Sequence, residues 1–147
     1  MFSIESDFTL ADLDEWINED VQEWINELAE YFKVRGRELV DKARAKTKSD
    51  GGFGNITWNL RGSIGMCVVV NGKIIDTYFP PITKGEHGTS LGREMAERLA
   101  VYGKNSEGVN MVFVAAENYA SIVQTTERDV IYHVIGDNLE EALKGIL

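Results

Sequence analysis

Leu10, Leu13, Ile17, Val21, Trp24, Ile25, Leu28 and Phe32 recur at three- and four-residue steps, which defines one face of a helix. Thr9 stands where a helix cap belongs, and Asp12 follows three residues later, a relative of the capping box with Asp in place of Glu. The helical pattern continues through Leu39, Val40 and Ala43 and stops before Asp50-Gly51-Gly52. Unbroken, such a helix covers about 36 residues and roughly 54 Å. Few small folds accommodate an element that long, so a bend near Gly36 is one expected solution. Trp16 falls beside the main stripe and is a candidate partner contact; together with Trp24 it could mark a partner surface, although the core is the expected place for Trp24.

The same helix is electrically split. Residues 1–30 hold ten acids and no base, whereas residues 31–50 hold seven bases (Lys33, Arg35, Arg37, Lys42, Arg44, Lys46 and Lys48) against three acids. The whole chain of 147 residues carries a net charge of −9. Sequence-specific DNA binding is disfavoured, because phosphate neutralisation needs an excess of Lys and Arg. The acidic-then-basic order reads either as a solvated polar face or as a charge-complementary contact between neighbouring copies. Arg35, Arg37 and Arg44 are the candidate contacts on the basic side.

After Gly51-Gly52-Phe53-Gly54-Asn55 the periodicity changes. Ile64 to Val70 and Ile74 to Phe79 flank Asn71-Gly72, a strong hairpin signal, and Pro80-Pro81 ends the second strand. Residues 82–90 read as a mobile loop, followed by a helix from Leu91 to Tyr102 stopped by Gly103. Val109 to Ala115 supplies a third strand, Tyr119 to Gln124 a short helix or strand, and Ile131 to Leu147 a final helix. The predicted fold is α+β in a single domain over 1–147. A long acidic-then-basic helical segment covers 1–48, and a small antiparallel sheet with a middle and a C-terminal helix covers 56–147. Hydrophobic content of 44% suits one globular domain. Apolar runs are too short to span a bilayer, the first residues lack the layout of a secretory signal, and a lone cysteine excludes an internal disulfide. The expectation is a soluble domain made in a reducing compartment.

Catalytic chemistry is thin. Cys67 lies in an alternating apolar strand and reads as a buried, inert thiol. His87 adjoins Glu86 in a glycine-containing segment, but adjacent residues rarely chelate one ion, and His133 falls in the final amphipathic stretch. The glycines at 51–54 follow a helix and lack the Gly-Lys-Ser/Thr of a phosphate loop. Glu94 and Glu97 alternate with Arg93 and Arg98 as on a solvated face. No catalytic, cofactor or metal residue is predicted.

Residues Thr57-Trp58-Asn59-Leu60-Arg61-Gly62-Ser63-Ile64 carry the most specific signal. They resemble the tail-completion (neck, or minor tail component) family of long-tailed phages, in which a basic helix leads to a Thr-Gly-Asn-Leu-Arg-x-Ser-Ile turn and a hairpin. Thr57, Asn59, Leu60, Arg61, Ser63 and Ile64 match, and Trp58 replaces the usual glycine. A second piece, Tyr119-Ala120-Ser121-Ile122-Val123-Gln124, is similar to the family's Tyr-Ala-x-Tyr-Val-Glu segment through Tyr119, Ala120 and Val123. The glycine-rich end that usually follows is replaced by Thr125-Thr126-Glu127-Arg128. The resemblance covers roughly 120 residues. Read on their own chemistry, Asn59 and Gly62 suit a turn, Leu60 and Ile64 drop into the core beside it, and Arg61 projects to reach an acidic partner.

The resemblance implies a structural protein of a phage or prophage virion, not an enzyme: a ring subunit at the head–tail junction, assembled in the host cytoplasm. It would join the connector to the tail terminator and tail tube and leave an axial passage for DNA. The resemblance implies six copies. No cofactor and no membrane contact are implied. In such a ring the basic stretch Lys33 to Lys48 would face protein, with the Asp12 to Glu30 segment of an adjacent copy or an acidic neighbouring ring as its partner. Two other readings stand beside it: a cytosolic binding module using the 78–92 loop, and a small hydrolase using Glu86 or His87.

Overall fold

The computed structural model describes residues 9–47, 49, 58–102 and 108–116. Helix α1 spans Leu10–Ala45, 36 residues without interruption. Its start is a complete capping box: the Asp12 amide donates to Thr9 Oγ1 (3.2 Å), and the Thr9 amide donates to Asp12 Oδ2 (2.7 Å). The bond from the Thr9 backbone, with the one from its hydroxyl, holds the Asp12 carboxyl below its usual range. Aspartate thus closes the box as glutamate would. Gly36 introduces no break. It is buried against the sheet, where an added Cβ would lie 2.9 Å from Met66 Cε. Its missing side chain sets the helix–sheet distance.

Strands β1 (Ile64–Val70) and β2 (Lys73–Tyr78) form the expected hairpin. Asn71 (φ 49°) and Gly72 (φ 79°) both take the left-handed conformation, as a type I′ turn requires. Between Val68↔Asp76 and Val69↔Ile74 the pairing skips Ile75, leaving it 40% exposed in a bulge. Strand β3 (Val109–Ala115) pairs antiparallel on the other edge of β1, giving the order β2-β1-β3. Asn71 ties the hairpin tip to the start of β3, its amide donating to the Gly108 carbonyl (2.9 Å) and its Oδ1 accepting from the Gly108 amide (2.8 Å).

A central strand buried on both faces needs apolar residues at every position, and β1 has them in Met66-Cys67-Val68-Val69. Met66 and Val68 meet Val40 of α1, with Phe32, Met111 and Phe113 packed around them. Cys67 and Val69 point the other way, to Phe79, Val114, Ala96 and Ala100. The last two belong to helix α3 (Glu86–Tyr102), so the sheet lies between α1 and α3. A single turn of helix, α2 (Asn59–Ser63), leads into β1.

The α+β architecture, the long helix and the hairpin with a third strand are as expected, but two details differ. Helix α3 begins at Glu86, five residues before the predicted Leu91, so the segment expected to be a mobile loop is largely helical. Gly85 and Gly88 are buried in it, because they admit backbone rather than side chain. An added Cβ on Gly88 would overlap the Asn59 carbonyl, and one on Gly85 would lie 2.8 Å from the Trp58 carbonyl. Trp24 is 57% exposed instead of lying in the core, because all the buried residues of α1 lie at Ala29 or later. The predicted final helix, the Tyr119-Ala120-Val123 piece, Thr57 and the glycines at 51–54 lie outside the described residues.

Candidate functional site

The segment that carried the resemblance forms the junction of all the described elements. Trp58 caps α2 with φ 65°, ψ −3°, a left-handed conformation that glycine adopts freely and a bulky residue adopts at a cost. The following turn is helical rather than open: the Gly62 amide donates to the Trp58 carbonyl (2.9 Å). Leu60 and Ile64 are buried on either side of it, as expected. Ser63 is fully buried, donating its hydroxyl to the Leu60 carbonyl (2.8 Å) and accepting from the Ala116 amide (3.1 Å) just past β3. Asn59 exposes its backbone to Gly88, so α2 and α3 touch through main chain.

Arginine binds the junction to α1. Arg44 is 8% exposed and donates to three carbonyls: Ile64 from Nε (2.8 Å), Gly62 from Nη2 (2.8 Å) and Pro80 from Nη1 (2.5 Å). One planar guanidinium thereby joins the end of α1 to the start of β1, to α2 and to the exit from β2. Burial lowers its pKa to about 10, which leaves it charged at neutral pH. Arg61, also 8% exposed, donates to the Lys46 carbonyl (2.7 Å), and its guanidinium carbon lies 6.0 Å from the Trp58 ring centre. Burial lowers its pKa too. Both arginines were expected to reach a neighbouring copy or acidic partner. That expectation is corrected: both guanidinium groups are turned inward, onto backbone carbonyls at the end of α1, in the turn before β1 and at the exit from β2.

Comparisons with protein-family models, curated proteins and solved structures find no match. What the site does has to be argued from its own residues.

The other candidate contacts lie on the surface. Trp16 is 51% exposed on α1. Arg35 pairs with Glu38 one turn away (2.8 Å), and the Glu38 hydrogen bond raises its pKa. Arg37 crosses to β2, where it grips Asp76 through Nε and Nη2 (2.9 Å to Oδ1) and lies over the Tyr78 ring at 5.0 Å. The Tyr78 hydroxyl donates to Asp41 Oδ1 (3.0 Å). The Tyr78 pKa is raised by burial first and by this bond second. The basic half of α1 therefore clamps the helix to β2 as well as facing solvent.

Among the described residues, the side chains capable of catalysis or metal binding are not gathered. Cys67 is fully buried, and desolvation pushes its thiol up to about 11, so the inert reading holds. Glu86 and His87 both lie exposed in the first turn of α3, where successive residues diverge by about 100° around the axis. Among the described residues no group of His, Cys, Asp or Glu has the arrangement of a metal site, and no helix is long and apolar enough to cross a membrane. A surface depression of about 590 Å³ lies beside Pro81, Ile82, Glu86 and Ser90, and among the described residues no paired acid and base lines it.

Sequence reasoning missed the inner face of α3. Gly85, Gly88, Gly92, Ala96 and Ala100 are all buried at steps of three and four, an ordinary helix period written in small residues. Meanwhile the larger Met95, Leu99 and Val101 are exposed by 38%, 39% and 64%. A search for large apolar side chains at helical spacing passes over such a face.

Proposed function

We propose that this chain is a ring-forming subunit of the head–tail junction of a long-tailed phage or prophage, joining connector to tail around an axial DNA passage. The observation that carries this reading is the backbone of Trp58. The resemblance places a glycine there, and Trp58 adopts the left-handed conformation that glycine favours, at φ 65°. A glycine at this position would take the same conformation without strain. The matching positions also act together: Leu60, Arg61, Ser63 and Ile64 are buried in one junction that closes α1, the hairpin and β3. A rigid junction supporting a long projecting helix suits a subunit whose work is geometric. A heterologous contact that closes on itself makes the ring.

The binding-module alternative relied on a loop at 78–92, and residues from Glu86 onward are helix instead. The neck reading is tested by mixing the purified protein with the connector complex encoded beside it and imaging the product by electron microscopy. A ring added to the connector supports it. A subunit that joins neither connectors nor tails, encoded away from portal, capsid and tail-tube genes, overturns it.

A further inference from the structure

We infer that the N-terminal half of α1 is a docking face for a basic amphipathic helix of a different protein. Leu10, Ile17, Val21 and Trp24 are exposed by 82%, 50%, 49% and 57%, and Leu13 by 36%. Their three- and four-residue steps put them on one side of a 15-residue stretch, about 22 Å long. Such a stretch presents the ridges and grooves on which a second helix can pack. No residue of α1 before Ala29 is buried, so the sheet and α3 leave this stripe uncovered. It is also continuous with the packed face that begins lower on the same helix.

Charge selects the occupant. From Asp12 to Glu30 the helix carries eight acids and no base. Anionic surfaces, whether nucleic acid or acidic lipid, are repelled by it. A second copy offering the same stripe would set eight acids against eight. The basic half of α1 is poorly placed to serve either: Lys33 pairs with Glu30, Arg35 with Glu38, Arg37 with Asp76, and Arg44 is buried on carbonyls. The rest of this chain does no better, since residues 117–147 hold six acids against two bases, and residues 1–8 hold two acids and no base. A helix with leucine-like residues on one side and Lys or Arg on its flanks complements both features, its apolar side on the stripe and its bases among the acids. Trp24, a large aromatic side chain held on a rigid helix, is the anchor such an interface uses. This inference does not depend on the neck reading and holds for any cellular setting.

The test uses the full chain and a fluorescein-labelled leucine–lysine peptide of about five helical turns, with a leucine–glutamate peptide of the same spacing as control. Anisotropy should report binding of the lysine peptide that weakens with added salt and falls about tenfold or more in Ile17→Ser/Trp24→Ser, a change of exposed residues that leaves the circular dichroism intact. The glutamate peptide should not bind. Lysine-peptide binding indifferent to the double substitution would reduce the effect to bulk charge and overturn the docking face. Equal binding of the glutamate peptide would overturn the charge selection. Sedimentation of the protein alone as a dimer dissolved by the same substitutions would identify a second copy as the occupant, and binding to phosphatidylglycerol vesicles through the stripe would identify a membrane; either result refutes the inference.

Discussion

Replacing Arg44 by methionine should remove a substantial part of the stability of this protein. Three carbonyls, those of Gly62, Ile64 and Pro80, lose a charged donor in one step. A buried acceptor left unsatisfied costs about 1–3 kcal/mol. Methionine fills much of the volume, and the Pro80 bond is only part-buried, so water restores some of that loss. The expected net destabilisation is about 3–5 kcal/mol, against a total of about 5–15 kcal/mol for a typical domain. Arg44→Lys keeps the charge, but a single ammonium cannot span carbonyls on three segments, so it should lose about 2–3 kcal/mol. Arg35→Met provides the reference. That arginine is half exposed in a one-turn surface pair, and its replacement should leave the unfolding midpoint close to that of the wild type. Urea unfolding followed by far-ultraviolet circular dichroism measures all three. A loss of less than about 1 kcal/mol for Arg44→Met, or an equal loss for Arg35→Met, would falsify the assignment of Arg44 as the tie between α1 and the hairpin.

Further outcomes follow from the same contacts. Gly88→Ala should destabilise by about 3 kcal/mol in urea, because the new Cβ meets the Asn59 backbone rather than a side chain that can move; an unchanged midpoint would show that α2 and α3 do not touch there. At position 58 the left-handed backbone reverses the usual helix-forming order, so Trp58→Gly should be more stable than Trp58→Ala by about 1 kcal/mol, and the opposite ranking would remove the conformational argument for the motif. The Cys67 thiol is raised from an ordinary 9.0 to about 11, so the folded protein keeps a proton that the unfolded chain releases. Its contribution is full below pH 9 and declines as pH rises towards 11. Wild type should therefore lose up to about 2–3 kcal/mol more than Cys67→Ala over that interval, and a parallel decline of the two would contradict the burial effect.

The elements legible in the sequence were those whose signal is carried by side-chain type at fixed spacing. Asn71-Gly72 demanded positive φ at two successive residues and produced the type I′ hairpin. Thr9 and Asp12 specified the first turn of α1, and the unbroken apolar run of β1 specified a strand covered on both faces. What escaped was whatever depends on backbone meeting backbone. Gly85 and Gly88 read as loop residues because glycine is common in loops, yet here they let α3 approach the main chain of α2. Trp24 read as core because its spacing matched residues that are core further along. Spacing defines a stripe but not the extent of the surface that covers it, and the sheet ends before Trp24 is reached.

The same limit applies to the arginines and separates the two regions of the molecule. Charge along a sequence suggested that Arg44 and Arg61 faced outward, since isolated arginines are mostly solvated. Their burial follows from a convergence that sequence does not display: where α1 ends and β1 begins, the carbonyls of Lys46, Gly62 and Ile64 come within reach of the two guanidinium groups. A long donor with several N–H groups is the residue that resolves such a convergence. The motif-bearing turn is thereby occupied with holding the chain together, and Leu60, Arg61, Ser63 and Ile64 have little surface left to offer a partner. Among the described residues, the acidic, apolar-striped half of α1 is surface that the sheet and α3 leave uncovered. A rigid junction at one end of a helix and an uncovered stripe at the other is an arrangement that transmits position: displacement of the junction moves Trp24 as a lever rather than being absorbed by a loop, because 36 residues of continuous helix connect Thr9 to Lys46.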